Sequence, residues 1–150
     1  MSGDIKELLK RTIGRKASFR KTVSESDVYG FAGITGDFAP NHVDEEFMKA
    51  TPYGRRIAHG ALMVGFMSRA SSMIVERCPE VCETHFPVSA EYDRVRFVGP
   101  VFIGDTITVT YAITDVEETK LRTLASVHVG TPGAETVAVA THIMTWLPLA

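Results

Sequence analysis

Ala58-His59-Gly60-Ala61-Leu62-Met63-Val64-Gly65-Phe66-Met67-Ser68-Arg69-Ala70 opens the longest helical pattern in the chain, which continues to about Arg77. Its first half is apolar nearly all round, and a helix apolar on every face is buried, either in protein or in a membrane. Ser68, Arg69, Ser71, Ser72, Glu76 and Arg77 interrupt the pattern, so burial in protein is expected. Beyond Pro87 the period changes from helical to alternating. Val88, Ala90 and Tyr92 share one phase while Val95 and Phe97 take the other, a slip that a β-bulge near Asp93 would produce. Thr106 to Thr114 is the clearest strand, apolar on one face and mostly threonine on the other. Leu121 to Val129 and Thr136 to Trp146 follow, joined at Thr131-Pro132-Gly133, with Gly99-Pro100 and Gly104-Asp105 punctuating the earlier connection. One buried helix followed by a run of antiparallel strands predicts an α+β domain whose sheet wraps a central helix. Pairing edge strands across a two-fold axis is one way to cover them.

Upstream of that helix the signals are local. Lys16 to Val23 alternates loosely, as an edge strand would. Ser24-Glu25-Ser26-Asp27 offers two N-caps and early acidic charge ahead of Val28, Phe31, Ala32 and Ile34 at helical spacing, and Gly36 ends that helix. Asp44 can cap a short helix carrying Phe47 and Met48, with Glu45 and Glu46 in its favourable first turn. Thr51-Pro52-Tyr53-Gly54 reads as a turn. No internal repeat or linker divides residues 1–150, so a single domain is expected.

Composition narrows the function classes. The chain has 150 residues, 45% hydrophobic and 23% charged, ordinary for a globular domain with its own core. Its net charge is −2 with no basic run, so no nucleic-acid partner is expected. Met1 to Lys10 has no uninterrupted apolar core and nothing is long enough to span a bilayer, which predicts a cytoplasmic protein with no membrane partner. Cys78, Cys82 and His85 form Cys-x3-Cys-x2-His, at most three ligands where a closed zinc site needs four, so no metal is expected and the thiols are taken as free.

The segment Gly36-Asp37-Phe38-Ala39-Pro40-Asn41-His42-Val43-Asp44 carries the chemistry. On a continuous helix, residues five apart stand about 140° round the axis and cannot converge on one atom. Pro40 lacks a donor and pushes Ala39 toward extended backbone, so the segment is read as a non-helical turn in which Asp37 and His42 can face one cavity. A carboxylate and an imidazole so placed can activate water, though either alone suits a turn or a loop. Gly60 stands near the start of the buried helix, where its N–H lacks a partner one turn back and the helix dipole adds positive charge. A carbonyl held there would be polarised, unless the glycine serves only close packing. Ser68, eight residues on and near the same face, can meet a ligand or bond back to the preceding turn. His59, His85, His128 and His142 show no partner and are read as structural or exposed; Asp44 is read as a cap.

Together these residues resemble the MaoC-like (R)-specific enoyl-CoA hydratase family, hydratase 2, of the hot-dog fold. The resemblance runs from about Ser24 to Trp146 and is strongest over Gly36 to Asp44, over Ile57-Ala58-His59-Gly60, and over Gly99-Pro100-Val101-Phe102-Ile103-Gly104-Asp105-Thr106. It implies that Asp37 and His42 activate one water for addition to C3 of a trans-2-enoyl thioester, with reversible proton delivery to C2, while the Gly60 N–H polarises the thioester carbonyl. It implies Ser68 in the acyl-binding groove, no metal or redox cofactor, a CoA or acyl-carrier-protein thioester as substrate, and a homodimer or dimer of dimers. Family members often read Asp-x-Asn-Pro-x-His, whereas here Ala39 precedes Pro40 and the amide stands at Asn41. Two other readings stay open, a hot-dog acyl-CoA thioesterase and a non-catalytic acyl-CoA-binding module.

Overall fold

Residues 3–150 are described by a computed structural model; Met1 and Ser2, at the head of the segment inspected for a leader, lie outside them. Five antiparallel strands form one sheet in the order β1-β3-β4-β5-β2, with β1 Lys16–Thr22, β2 His85–Phe97, β3 Thr106–Glu117, β4 Arg122–Thr131 and β5 Ala134–Pro148. Alternation sends Ile107, Val109, Tyr111 and Ile113 of β3 inward, with Ala125, Val127 and Val129 of β4 and Ala138, Ala140, Met144 and Trp146 of β5. The expected irregularity near Asp93 is present: the β2–β5 register shifts between Asp93 and Arg96, and Arg94 takes φ +53°. β2 starts earlier than its alternation suggests and includes Pro87, which an edge strand tolerates.

The helices are α1 Ile5–Lys10, α2 Glu25–Thr35, α3 Pro40–Val43, α4 Glu45–Lys49, α5 Gly60–Val75 and α6 Pro79–Cys82. α5 lies across the sheet's inner face, touching β1, β3 and β4. This is the α+β hot-dog architecture. Met63, Met67, Ala70, Ser71 and Ile74 form its buried side, and burying each large apolar side chain contributes about 1.5–3 kcal/mol. The helix is not buried all round as its composition suggested: Ala61, Gly65, Ser68, Arg69 and Ser72 recur at helical spacing on a face left exposed within the chain. α2 is closed by a reciprocal capping box between Ser24 and Asp27 and ends at Gly36 in the left-handed region, φ +80°. Val28 and Ala32 are buried, but Ile34 points outward at 87% exposure. Among the described residues no helix is long and apolar enough to cross a membrane.

Candidate active site

Three short pieces of chain meet at the head of α5. The first is the end of α2, where Gly36 donates its N–H to the Ala32 carbonyl and turns the chain out of the helix. Asp37 follows, its Oδ1 accepting the Ala39 N–H at 3.2 Å in a local turn. The second piece is α3. Pro40 does not exclude a helix here; it starts one, at the position where a missing N–H costs nothing. Ala39, held at ψ 144° ahead of the proline, is its N-cap. Asp37 therefore precedes the single turn that carries His42, which is how residues five apart come to converge. The third piece, Ile57 to His59, is clamped from both sides: Ile57 N–H donates to the Asn41 carbonyl at 3.0 Å and Ala58 N–H to the Val101 carbonyl at 2.7 Å. Arg56 next door reaches Glu25 of α2 and Glu45 of α4, and its guanidinium holds the Glu25 carboxyl below the usual range.

The hydrogen bonds fix the imidazole tautomers. His42 is buried, and its Nδ1 lies 2.8 Å from the Ile57 carbonyl. A carbonyl only accepts, so Nδ1 donates and Nε2 of the neutral ring is left as a lone pair. His59, taken from sequence as structural or exposed, is buried at 2% exposure and belongs to the same group. Its Nε2 donates to the Asp37 main-chain carbonyl at 2.9 Å, and its ring stacks on His42 with centroids 3.7 Å apart at 25°. Ligating atoms of Asp37, His42 and His59 lie within 4.8 Å of one another, the one such group among the described residues. Three ligands are fewer than a closed tetrahedral zinc site takes, and a carboxylate with two imidazoles is also a set of groups able to take up and return protons.

His42 opens onto a cleft of about 440 Å³ lined also by Asn41, Tyr53, Gly60, Phe97 and Val101. Asn41, two positions beyond the usual place of the amide, also lines the cleft beside His42. Asp37 is exposed and joins the site from outside that lining. Gly60 is the first residue of α5, and neither its N–H nor that of Ala61 has an acceptor among the described residues. A Cβ on Gly60 would sit 3.0–3.1 Å from the Phe97 ring, so glycine is what admits that ring over the helix start. Phe97, 53% exposed, was legible only as a strand residue.

Ser68 is not brought to this cleft. Eight residues advance a helix by about 12 Å, and Ser68 lines a separate cavity of about 210 Å³ with Ser71, Ser72, Ser89, His142 and Met144. Its carbonyl accepts the Ser71 hydroxyl at 2.6 Å. Beside it His142 is fully buried, its Nδ1 bonded to the Tyr111 hydroxyl at 2.7 Å and its Nε2 to Ser89 Oγ at 2.8 Å. Burial pushes its pKa down to about 4. Burial also raises the Tyr92 phenol; the Ser68 and Ser71 hydroxyls offset this in part without reaching hydrogen-bonding geometry, and the Tyr92 ring stacks on His142 at 4.4 Å. His85 bonds Thr84 and His128 bonds Thr136. Asp44 caps α4 through the Phe47 N–H at 2.9 Å. The Cys78 and Cys82 thiols are free, pushed up by burial, and bond back to the Ile74 and Val75 carbonyls.

Comparison with known proteins places this geometry in context. A family model described as MaoC like domain matches residues 9–135. An (R)-specific enoyl-CoA hydratase of Rhodospirillum rubrum is 40% identical over 111 residues, 74% of this chain and 67% of that protein. A 3-hydroxybutyryl-CoA dehydratase of Methylorubrum extorquens is 35% identical over 104 residues, 69% of this chain and 61% of its own. The chain thus spans about two thirds of these relatives' length. Among solved structures, the (R)-hydratase from A. caviae involved in PHA biosynthesis superposes with a TM-score of 0.75 at 25% identity, covering 89% of this chain and 95% of that one.

Proposed function

The chain belongs to the MaoC-like domain family, and from that membership we propose that it catalyses the reversible (R)-specific hydration of trans-2-enoyl-CoA thioesters to (3R)-3-hydroxyacyl-CoA. The observation that carries this reading is the convergence of Asp37 and His42, whose Nδ1 is spent on the Ile57 carbonyl, beside a helix start whose first N–H is unclaimed. In the forward direction the thioester oxygen accepts the Gly60 N–H, which draws electron density from C3. A water held between the Asp37 carboxylate and His42 Nε2 adds its oxygen to C3 and gives up one proton to the dyad. The enolate formed is stabilised by the Gly60 N–H and the dipole of α5. Return of a proton from the dyad to C2 completes the addition of one water. Positioned acid–base groups of this kind contribute about 10²–10⁴ in rate.

The working form is a homodimer in this reading. β2 is a sheet edge that leaves Phe86 43%, Val88 42% and Phe97 53% exposed, and α5 presents the small-residue face at Ala61, Gly65, Ser68 and Ser72. Pairing β2 with its two-fold copy would continue the sheet and let the two helices meet across that face. A cytoplasmic enzyme acting on free CoA thioesters, with acyl-carrier-protein thioesters as the competing carrier, completes the proposal.

The test is incubation with crotonyl-CoA and, separately, with a saturated acyl-CoA. Loss of the enoyl chromophore without thiol release supports hydration. Thiol release from the saturated substrate would mark a thioesterase, and tight binding with neither turnover a binding module.

A further inference from the structure

Asp37 and His42 share a neighbour that touches both. His59 is 2% exposed, and its Nε2 donates to the Asp37 carbonyl, which has no other donor among the described residues. With the proton on Nε2, Nδ1 is a lone pair, and it is buried without a partner. A buried unpaired nitrogen is a standing cost to stability that an apolar ring of similar size would avoid. His42 lies flat on one side of the ring, and the Phe31 ring lies 4.7 Å away at 53°. His59 is also the N-cap of α5, making no capping bond with its side chain, so its backbone sets Gly60 while its imidazole sets the dyad.

We propose that His59 is a positioning residue for the hydration. Its Nε2–H tethers the loop that carries Asp37, and its ring face fixes the plane of His42, so that carboxylate and bare Nε2 address the same water. The proposal rests on the hydratase reading of the site. Asp37 stands in a loop after α2, and displacing a reacting group by about 1 Å can cost 10²-fold in rate. His59 thereby links two parts of the site that are far apart in sequence, the turn after α2 and the head of α5.

Two variants separate tether from stack. His59→Phe keeps an aromatic ring against His42 and loses the donor; His59→Gln keeps an N–H at comparable reach and loses the ring. With crotonyl-CoA, His59→Phe is expected to lower kcat by about 10- to 100-fold with KM changed by less than about threefold, and His59→Gln to recover part of that loss. Wild-type kcat in His59→Phe would overturn the proposal, as would a His59→Gln no faster than His59→Phe. Where His59→Phe does not fold, imidazole ¹⁵N spectra of the wild-type protein decide: the proposal requires Nε2–H on His59 and Nδ1–H on His42, and the opposite tautomers refute it. A wild-type protein that hydrates no enoyl thioester would defeat the hydratase reading itself, while the tautomers would still report on the tether.

Discussion

The histidine pair at the head of α5 and His142 under its second half are all buried, yet their atoms are accounted for differently. His142 bonds through both ring nitrogens, to Tyr111 and Ser89, and burial keeps it neutral. His42 and His59 each spend one nitrogen on a main-chain carbonyl and keep the other bare. Burial alone therefore does not mark a functional histidine. The informative quantity is an unspent lone pair beside a cleft, because a fully satisfied ring stabilises the fold and an unsatisfied one has a cost to stability that function must justify.

The contrast can be broken most severely at Asp37. Asp37→Ala is expected to reduce enoyl-CoA hydration about 10²–10⁴-fold at an unchanged melting temperature, since the side chain is exposed and bonds only the neighbouring Ala39 N–H. A comparable rate in the variant would remove the carboxylate from the chemistry. Next in size is the donor at Gly60. Proline is tolerated at a first helical position and His59 already has the extended ψ of 133° that a following proline demands. Gly60→Pro and Gly60→Ala both place a Cβ against the Phe97 ring, but only the proline lacks the N–H. Gly60→Pro should turn over about 10²–10³ times more slowly than Gly60→Ala; equal rates would mean that the glycine serves packing alone.

The distal histidine should answer in stability instead. Its pKa lies near 4 when folded, below the ordinary 6.5, so the unfolded chain takes up this proton first as pH falls. The stability His142 confers as a neutral group is complete above about pH 6.5 and declines toward pH 4, by at most about 3 kcal/mol. Melting curves across that window should show the decline, and His142→Ala should flatten it. Near neutral pH the same variant leaves the Tyr111 and Ser89 hydroxyls without this partner and should cost roughly 1–3 kcal/mol, with kcat within about threefold of wild type. Loss of turnover without loss of stability would reverse the assignment of the two regions.

Features written in local sequence were the legible ones. The N-cap within Ser24–Asp27, the helix stop at Gly36, the Asp44 cap and the register slip near Asp93 are each decided by a few adjacent residues, and all stand where the sequence puts them. The clear strand of β3 and the edge position of β1 follow from alternation in the same way. His59 was not legible, because its acceptor is a main-chain carbonyl 22 residues away and any residue supplies a carbonyl. The partners of His142 come from β2 and β3, joined to it only by strand pairing and the curvature of the sheet. Pro40 misled because the rule that excludes proline from helix interiors also favours it at a helix start. α5 misled because an exposed run of small residues has the same composition as a buried one.

That water is added by the group at the head of α5 is tested most directly by His42→Ala beside the wild type, with crotonyl-CoA as substrate and the configuration of the product determined. The wild type is expected to form (3R)-3-hydroxybutyryl-CoA, and the variant, folded but destabilised by roughly 1–3 kcal/mol through loss of the bond to the Ile57 carbonyl, to form it at least about 10²-fold more slowly. Equal rates, a (3S) product, or free thiol in place of the hydroxyacyl thioester would contradict the account.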